Sequence, residues 1–393
     1  MKFKQTEIGE IPEDWNIKQL SDPEVSSINM GQSPPSQYYN ERGEGLPFYQ
    51  GNADFGYMHP KPRLHCNIPK KIANQNDILI SVRAPVGAVN IATEKCCIGR
   101  GVAAVTPKDG DPRYLYYYLQ SIASGWIIEQ TTFEAIKSSY LKEKLVPWPK
   151  QPERSRITST LFCIDSAISQ TDELVTQVRQ LKKGVMQQLL TRGIGHTRFK
   201  KTDIGEMPVE WDVKSIEELC ENLDYMRKPI TKSDRVPGEV PYYGATGIQD
   251  HVEGYLFDED LVLVAEDCGE YGSFGQTAYT ISGKAWVNNH AHILRCKGIN
   301  WIFLTEYLNF TNINHLINTG NRGKLNKSIL DKLRVPVPKN NEDVQIAKIL
   351  FSVDAKISSE LEKRAQLELL KKGLMRDLLT GMVRFPEFRG ASA

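Results

Sequence analysis

FKQTEIGEIPEDWNIK, residues 3–18, comes back as FKKTDIGEMPVEWDVK at 199–214, with nine of sixteen positions identical at an offset of 196. A second block, VPWPKQPERSRITSTLFCIDSAIS from Val146, comes back as VPVPKNNEDVQIAKILFSVDAKIS from Val335, at an offset of 189. It closes on LKKGVMQQLLT (Leu181–Thr191) in one copy and LLKKGLMRDLLT (Leu369–Thr380) in the other. Between the matching blocks lie two stretches of roughly 120 to 130 residues with little in common. A frame kept in duplicate around two unlike inserts points to one scaffold that presents two different recognition surfaces.

Each insert leads into a segment that reads as one long helix. Apolar residues fall at Ile157, Leu161, Ile164, Ile168, Val175, Val178, Leu181, Val185 and Leu189 in the first copy. In the second they fall at Ile346, Leu350, Val353, Ile357, Leu361, Leu367, Leu370, Leu374 and Leu378. The +4/+3 steps make a heptad-like seam, and eight of the nine positions coincide at the repeat offset. With no proline after Pro152, each helix can run close to 40 residues, or about 60 Å at 1.5 Å per residue. A helix that long with one apolar stripe needs a partner, and its own copy, running antiparallel, is the natural one. Packing of each helix onto its own domain, or a homodimeric coiled coil, are the alternatives. Gly184 and Gly373 sit at equivalent points mid-helix, where glycine costs about 1 kcal/mol relative to alanine. The repetition of that cost leads us to expect close backbone approach there, with a hinge or fraying of the helix end as the alternatives.

The expected class is α+β. Two mixed α/β recognition domains (1–150 and 197–339) alternate with two long antiparallel coiled-coil helices (151–196 and 340–382), and a tail covers 383–393. In the first domain Asn76–Val82 reads as a strand, Cys96–Val105 as another interrupted by Gly99 and Gly101, and Pro112–Ser121 as a short core helix. Asp260–Ala265, Ala285–Arg295 and Trp301–Phe310 are the counterparts in the second, so the inserts are expected to share a fold. The end of the chain, Val383-Arg384-Phe385-Pro386, echoes Arg198-Phe199-Lys200. The expected organisation is therefore pseudo-twofold and circular, with the two ends of the chain close together.

Of 393 residues, 40% are hydrophobic and 25% charged, an ordinary soluble composition. No apolar run approaches the roughly 20 residues of a membrane span, and the N-terminal stretch lacks the apolar core of a signal peptide. Seven cysteines with no C-x-x-C fit a reducing cytoplasm better than a disulfide scaffold. With 49 basic against 48 acidic residues the net charge is +1. Avid nucleic-acid binding by this chain alone would be surprising on that count, so a partner is expected to supply part of the positive surface.

Catalytic signatures are scarce. The chain lacks a phosphate-binding P-loop, a zinc pattern, and the Asn/Asp-Pro-Pro-aromatic tetrapeptide of an amino methyltransferase; its closest string is Ser33-Pro34-Pro35-Ser36. His290 and His292 would share a strand face, but two histidines without further ligands are ordinarily structural. Glu266, Asp267 and Glu270 read as a solvated loop or an acceptor for a base rather than an acid–base pair.

Recognition chemistry remains. In the first domain Gln32, Ser33, Gln37 and Tyr38, then Gln50 and Asn52, sit in polar, turn-rich loops, where amides can pair with adenine and hydroxyls can reach phosphate. Arg83 and Arg100 stand at strand ends, where a guanidinium can reach guanine or phosphate. In the second domain the corresponding candidates are Arg227, Lys228, Tyr243, Thr246 and Asn289. The stretch Thr319–Ser328 adds Arg322, Lys324, Asn326 and Lys327; Thr131-Thr132-Phe133 with Lys137 and Ser138 fills the matching place in the first domain. The expected helix-pairing set is that apolar seam of the two long helices without Val175 and Leu361, together with Gly184 and Gly373.

The duplicated IGEIPEDW/IGEMPVEW motif, the VPWP/VPVP transitions, the LKKGVMQQLLT/LKKGLMRDLLT ends and PYYGATG (Pro241–Gly247) together resemble the specificity subunit of type I restriction–modification enzymes, over nearly the whole chain. The resemblance implies two target-recognition domains held by two antiparallel helices, with no catalytic residues and no metal of their own. Each domain would read one part of a split, asymmetric sequence in double-stranded DNA. It implies two methyltransferase subunits docked on the helices and ATP-dependent restriction/translocase subunits beside them. S-adenosylmethionine, ATP and Mg2+ would be bound by those partners. Two rivals stand against it. One is a self-contained methyltransferase or nuclease with a degenerate site; the other is a coiled-coil adaptor whose globular parts bind protein.

Overall fold

The computed structural model describes residues 2–125, 135–317 and 323–389. The chain forms two compact units, residues 1–171 with 363–393, and residues 172–362. Four helices organise them: α1 (Arg113–Ser121), α2 (Gln151–Arg192), α3 (Trp301–Phe310) and α4 (Glu342–Leu379). The boundary between the units cuts α2 and α4, so each long helix gives half its length to each unit. No helix among the described residues is long and apolar enough to cross a membrane.

The repeated blocks recur because they meet. In unit 1, hairpin Phe3–Thr6/Gly9–Pro12 leads into strand Asn16–Gln19, which pairs antiparallel with Leu145–Trp148, placing Lys18 opposite Val146. In unit 2, hairpin Phe199–Thr202/Gly205–Pro208 leads into Asp212–Ser215, which pairs with Arg334–Val337, placing Lys214 opposite Val335. Trp15 and Trp211 are both fully buried. The Trp15 indole donates to Glu153 at 3.0 Å, and the Trp211 indole to Glu342 at 2.8 Å. Both carboxylates lie in the first turn of a long helix, where the helix dipole also favours them. Opening motif and helix start are thus two halves of one buried contact.

That contact closes unit 1 through the last residues of the chain. Arg384, itself buried, donates to Glu153 at 2.7 and 2.8 Å and to Asp14 at 2.9 and 3.0 Å. The expected proximity of the two ends is met in this pair. In unit 2 the same place is taken by His196, whose ring nitrogens lie 2.9 Å from Glu342 and 3.2 Å from Glu210.

The inserts share a two-sheet plan. Unit 1 has an antiparallel sheet in the order Val89–Ile91, Ile78–Ser81, Val102–Pro107, Ser26–Met30; unit 2 has Ala278–Ile281, Leu261–Ala265, Ala291–Cys296, Cys220–Asn222. Each also has a second sheet with one parallel pair, Leu46–Tyr49 with Cys96–Ile98 in unit 1 and Pro237–Gly244 with Lys284–Val287 in unit 2. Two expected strands therefore split. Cys96–Val105 breaks at Gly99–Gly101 into strands of different sheets, and Ala285–Arg295 breaks at Asn288–His290. A run of apolar residues carries no mark of which sheet each half joins.

In unit 1, Ile157 and Leu161 of α2 pack with Met375, Leu378 and Leu379 of α4; in unit 2, Met186 and Leu190 of α2 pack with Ile346, Ala347 and Leu350 of α4. Start meets end in both units, the antiparallel arrangement. Ile168 and Val175 are also buried. Ile164, Val178, Val185, Leu189, Val353, Ile357, Leu367 and Leu374 are half-buried.

Leu181, Leu361 and Leu370 depart from the seam, at 60%, 41% and 51% exposure. The stripe passes instead through Lys182–Met186–Leu190 and Lys371–Met375–Leu379. A straight helix drifts by about 20° per heptad against a 3.5-residue repeat, and the lysines on this stripe, Lys371 buried and Lys182 half-buried, which an apolar pattern skips, find carboxylates. Lys371 lies 2.8 Å from Asp165; Lys182 lies 2.8 Å from Asp354 and 3.0 Å from Glu306.

The glycines are a second correction. A Cβ at Gly184 or at Gly373 would meet nothing within 4 Å, so no close approach requires them. Gly184→Ala and Gly373→Ala should each stabilise the chain by about 1 kcal/mol through helix propensity, read as a higher denaturant midpoint with unchanged slope.

Candidate nucleic-acid interface

In unit 1 the polar candidates gather where strand Ile78–Ser81 ends. The Val82 N–H donates to Gly101 O and the Ile136 N–H to Val82 O, both at 2.9 Å, leaving Arg83 bridged to Ala135. Gly31 and Gly101 let chains cross there: a Cβ on either would collide with the carbonyl of Gly99 or of Gln50. The Arg100 N–H donates to Ser33 Oγ at 3.1 Å, and the Gln50 N–H to Asp54 at 2.7 Å. Gln32, Gln50, Arg83, Arg100 and Lys137 present exposed side chains around this crossing, with Ser33, Asn52 and Ser138 half-buried. Gln37 and Tyr38 lie in the turn Ser36–Tyr38 before strand Tyr39–Asn40. Tyr39, absent from the sequence-based set, donates to Pro34 O at 2.6 Å and holds that loop; burial pushes its hydroxyl up.

Unit 2 repeats the backbone scheme with other chemistry. The Glu266 N–H donates to His290 O at 2.9 Å, the Leu325 N–H to Glu266 O at 2.8 Å, and Asp267 is bridged to Lys324. Asp267 therefore fills the slot of Arg83, with His290 facing it where unit 1 has Gly101. Asp267 is 4% exposed, and its carboxylate holds His290 Nδ1 at 2.9 and 3.0 Å while the imidazole remains half-exposed. Lys324 adds contacts of 3.3 Å to Glu266 and 4.0 Å to Asp267. Asn289, Thr246, Lys228, Asn326 and Lys327 are exposed. Among the described residues, no group of three or more His, Cys, Asp or Glu side chains could hold a metal ion.

Residues 12–179 and 208–369 match the family model described as the type I restriction modification DNA specificity domain. The chain belongs to that family. It is 44% identical over 193 residues to a putative type I restriction enzyme MjaX specificity subunit of Methanocaldococcus jannaschii, a match spanning 48% of this chain and 45% of that relative. It is 23% identical over 423 residues to the MjaVIII specificity subunit of the same organism, covering 97% and 96% of the two chains. The crystal structure of a type I restriction–modification S subunit from M. genitalium shares the fold, with a TM-score of 0.63 over 94% of this chain and 96% of that one at 16% identity.

One member of the sequence-based set is already occupied inside the unit. Arg227 is an internal clamp. Its guanidinium donates to Glu266 at 2.6 Å and to the carbonyls of Asp224, Asn289 and Ala291, and its side chain is 17% exposed. In the sequence it stands as a loop cation because its carboxylate lies 39 residues further on. Tyr243 packs beside Tyr279, with ring centres 6.0 Å apart. His292 lies inside, between Asp224 at 2.6 Å and Leu325 O at 2.7 Å, so the two histidines do not share a face. Arg322 and Thr131–Phe133 lie outside the described residues. Sequence reasoning named Asp267 and His290 separately and could not pair them, because His290 falls inside the expected strand Ala285–Arg295 and the break that frees it, at Asn288–His290, appears only in the fold.

Asp224 gives this region a pH dependence. Burial raises its carboxyl, but hydrogen bonds from His292 and the Ile293 N–H, with Arg227 beside it, outweigh burial and hold it below the ordinary value. A carboxyl depressed in the fold contributes stability that is complete above its unfolded pKa, about 3.9, and is lost as pH falls toward the folded value. Unit 2 should therefore weaken below about pH 4, and Asp224→Asn should flatten that limb of the stability–pH curve.

Proposed function

We propose that the chain is the DNA-recognition component of a type I restriction–modification complex, each insert reading one half of a bipartite, asymmetric target. The observation that carries this reading is the shared slot with unlike occupants, Arg83 in one unit and the Asp267–His290 pair in the other. One frame with different donors and acceptors suits two different half-sites. An exposed arginine pairs with guanine O6/N7 or phosphate, whereas a carboxylate-held imidazole offers a single ring nitrogen to a base edge.

In this reading the long helices set the gap between half-sites and dock two methyltransferase subunits. Phe162 and Phe351, 189 residues apart, are 43% and 60% exposed, and Leu181 and Leu370 repeat the pattern. Apolar side chains left in water at both copies fit two copies of one partner. S-adenosylmethionine, ATP and Mg2+ would belong to the methyltransferase and restriction/translocase subunits. Because a base in a duplex is reached only outside the stack, the partners would flip one adenine in each half-site. Methylome sequencing with and without this gene tests the reading. Loss of methylation at one split, asymmetric motif is the expected result, and an unchanged methylome overturns it.

A further inference from the structure

Cys220 and Cys296 sit directly opposite one another on neighbouring antiparallel strands of unit 2, with their sulfurs 3.6 Å apart. We propose that this pair is a thiol-oxidation site, closed to a disulfide by a low-molecular-weight disulfide such as oxidised glutathione.

The register supports the bond. The Lys297 N–H donates to Leu219 O and the Leu223 N–H to Ile293 O, both at 2.8 Å. Hydrogen-bonded positions alternate along an antiparallel ladder, so Cys220 and Cys296 fall at a non-hydrogen-bonded pair, where Cα atoms approach to about 4.5 Å. That distance lies inside the range of about 4.4–6.8 Å that disulfides span, and side-chain rotation alone can bring the sulfurs together.

Each residue has its part. Cys296 is half-buried and Cys220 buried. The Cys220 thiol donates a hydrogen bond to the Cys296 sulfur, which with burial pushes its own ionisation far above the ordinary thiol range. Cys296 is therefore the attacking sulfur and Cys220 the resolving one. The Cys296 thiolate displaces one thiolate from the reagent and leaves a mixed disulfide; Cys220, losing its proton, then displaces the second. Two protein thiols are oxidised to one disulfide, one reagent disulfide is reduced to two thiols, and both protons pass to the released thiolates. The bond would fasten edge strand Cys220–Asn222, whose continuation carries Asp224 and the clamped Arg227, to the strand that ends in Cys296.

The test uses the full chain in glutathione buffers of rising oxidised fraction, with peptide mapping by mass spectrometry and hydrogen exchange at Glu221–Leu223. The expected result is a Cys220–Cys296 linked peptide that dithiothreitol reverses, slower exchange at those amides, and loss of both effects in Cys220→Ser and in Cys296→Ser. Glutathione adducts at exposed Cys163 and Cys268 serve as the measure that oxidation occurred. Adducts there, or on Cys296, without a link to Cys220 overturn the proposal.

Discussion

Lys371→Ala is expected to cost unit 1 about 3–5 kcal/mol, the loss typical of removing one partner from a buried ion pair. The Lys371 and Asp165 side chains are 9% and 3% exposed. Asp165 also accepts hydrogen bonds from the hydroxyls of Tyr57 at 2.8 Å and Tyr117 at 2.7 Å. Without the ammonium a carboxylate is left in the seam between α2 and α4 with only neutral donors. Asp165→Leu with Lys371→Met should recover part of the loss, not all, because the Tyr117 hydroxyl then lacks its acceptor. Lys182→Ala in unit 2 should cost less. Its Asp354 partner is 40% exposed, and Glu306, whose carboxyl burial already pushes up, can take a proton. Denaturant unfolding of the three variants gives the order directly. A loss below about 1 kcal/mol for Lys371→Ala would mean the pair behaves like a surface salt bridge.

Exchanging residues 1–145 for the corresponding part of another specificity-family member should change one half of the methylated motif completely and leave the other half and the gap untouched. Lengthening both helices should do the opposite. Seven residues inserted after Thr171 and after Glu362, the two points where the compact units divide, add about 10 Å of helix. On the proposed reading the gap grows by about 3 base pairs at 3.4 Å each, with both half-sites kept. Methylome sequencing reads both results. A motif altered in both halves by the exchange, or a gap unmoved by the insertion, would show that inserts and helices do not divide the work as proposed.

The duplicated frame was legible because repeated strings mark positions where one contact is made twice. Trp15 with Glu153 and Trp211 with Glu342 appear in the sequence as two separate repeats at different offsets, 196 and 189, and in the fold as one contact made in each unit. The heptad pattern announced two long helices for a similar reason, since an apolar stripe has a period. It misplaced Leu181 and Leu370 because ion pairs leave no periodic mark, and a lysine reads as surface until its aspartate is located.

The sequence showed which candidate loops meet and not what each side chain does there. Loops rich in glycine, amides and cations did converge on corresponding strand ends, as at Gln32, Gln50, Arg83 and Arg100. Whether a cation there is free or spent was hidden. Arg227 and Arg83 look alike in the sequence, yet one is enclosed by Glu266 and three carbonyls and the other is exposed.

By itself, then, the sequence determined the duplication, the two helices, the unlike inserts and the family, all of which rest on local pattern or on repetition within one chain. Only the tertiary structure decided how each long helix is shared between units, which lysines enter the seam, and that Asp267 with His290 stands where Arg83 stands in the other insert. Those outcomes depend on partners brought together from tens to hundreds of residues away, and free energies of burial and pairing are set by such neighbours rather than by adjacent residues.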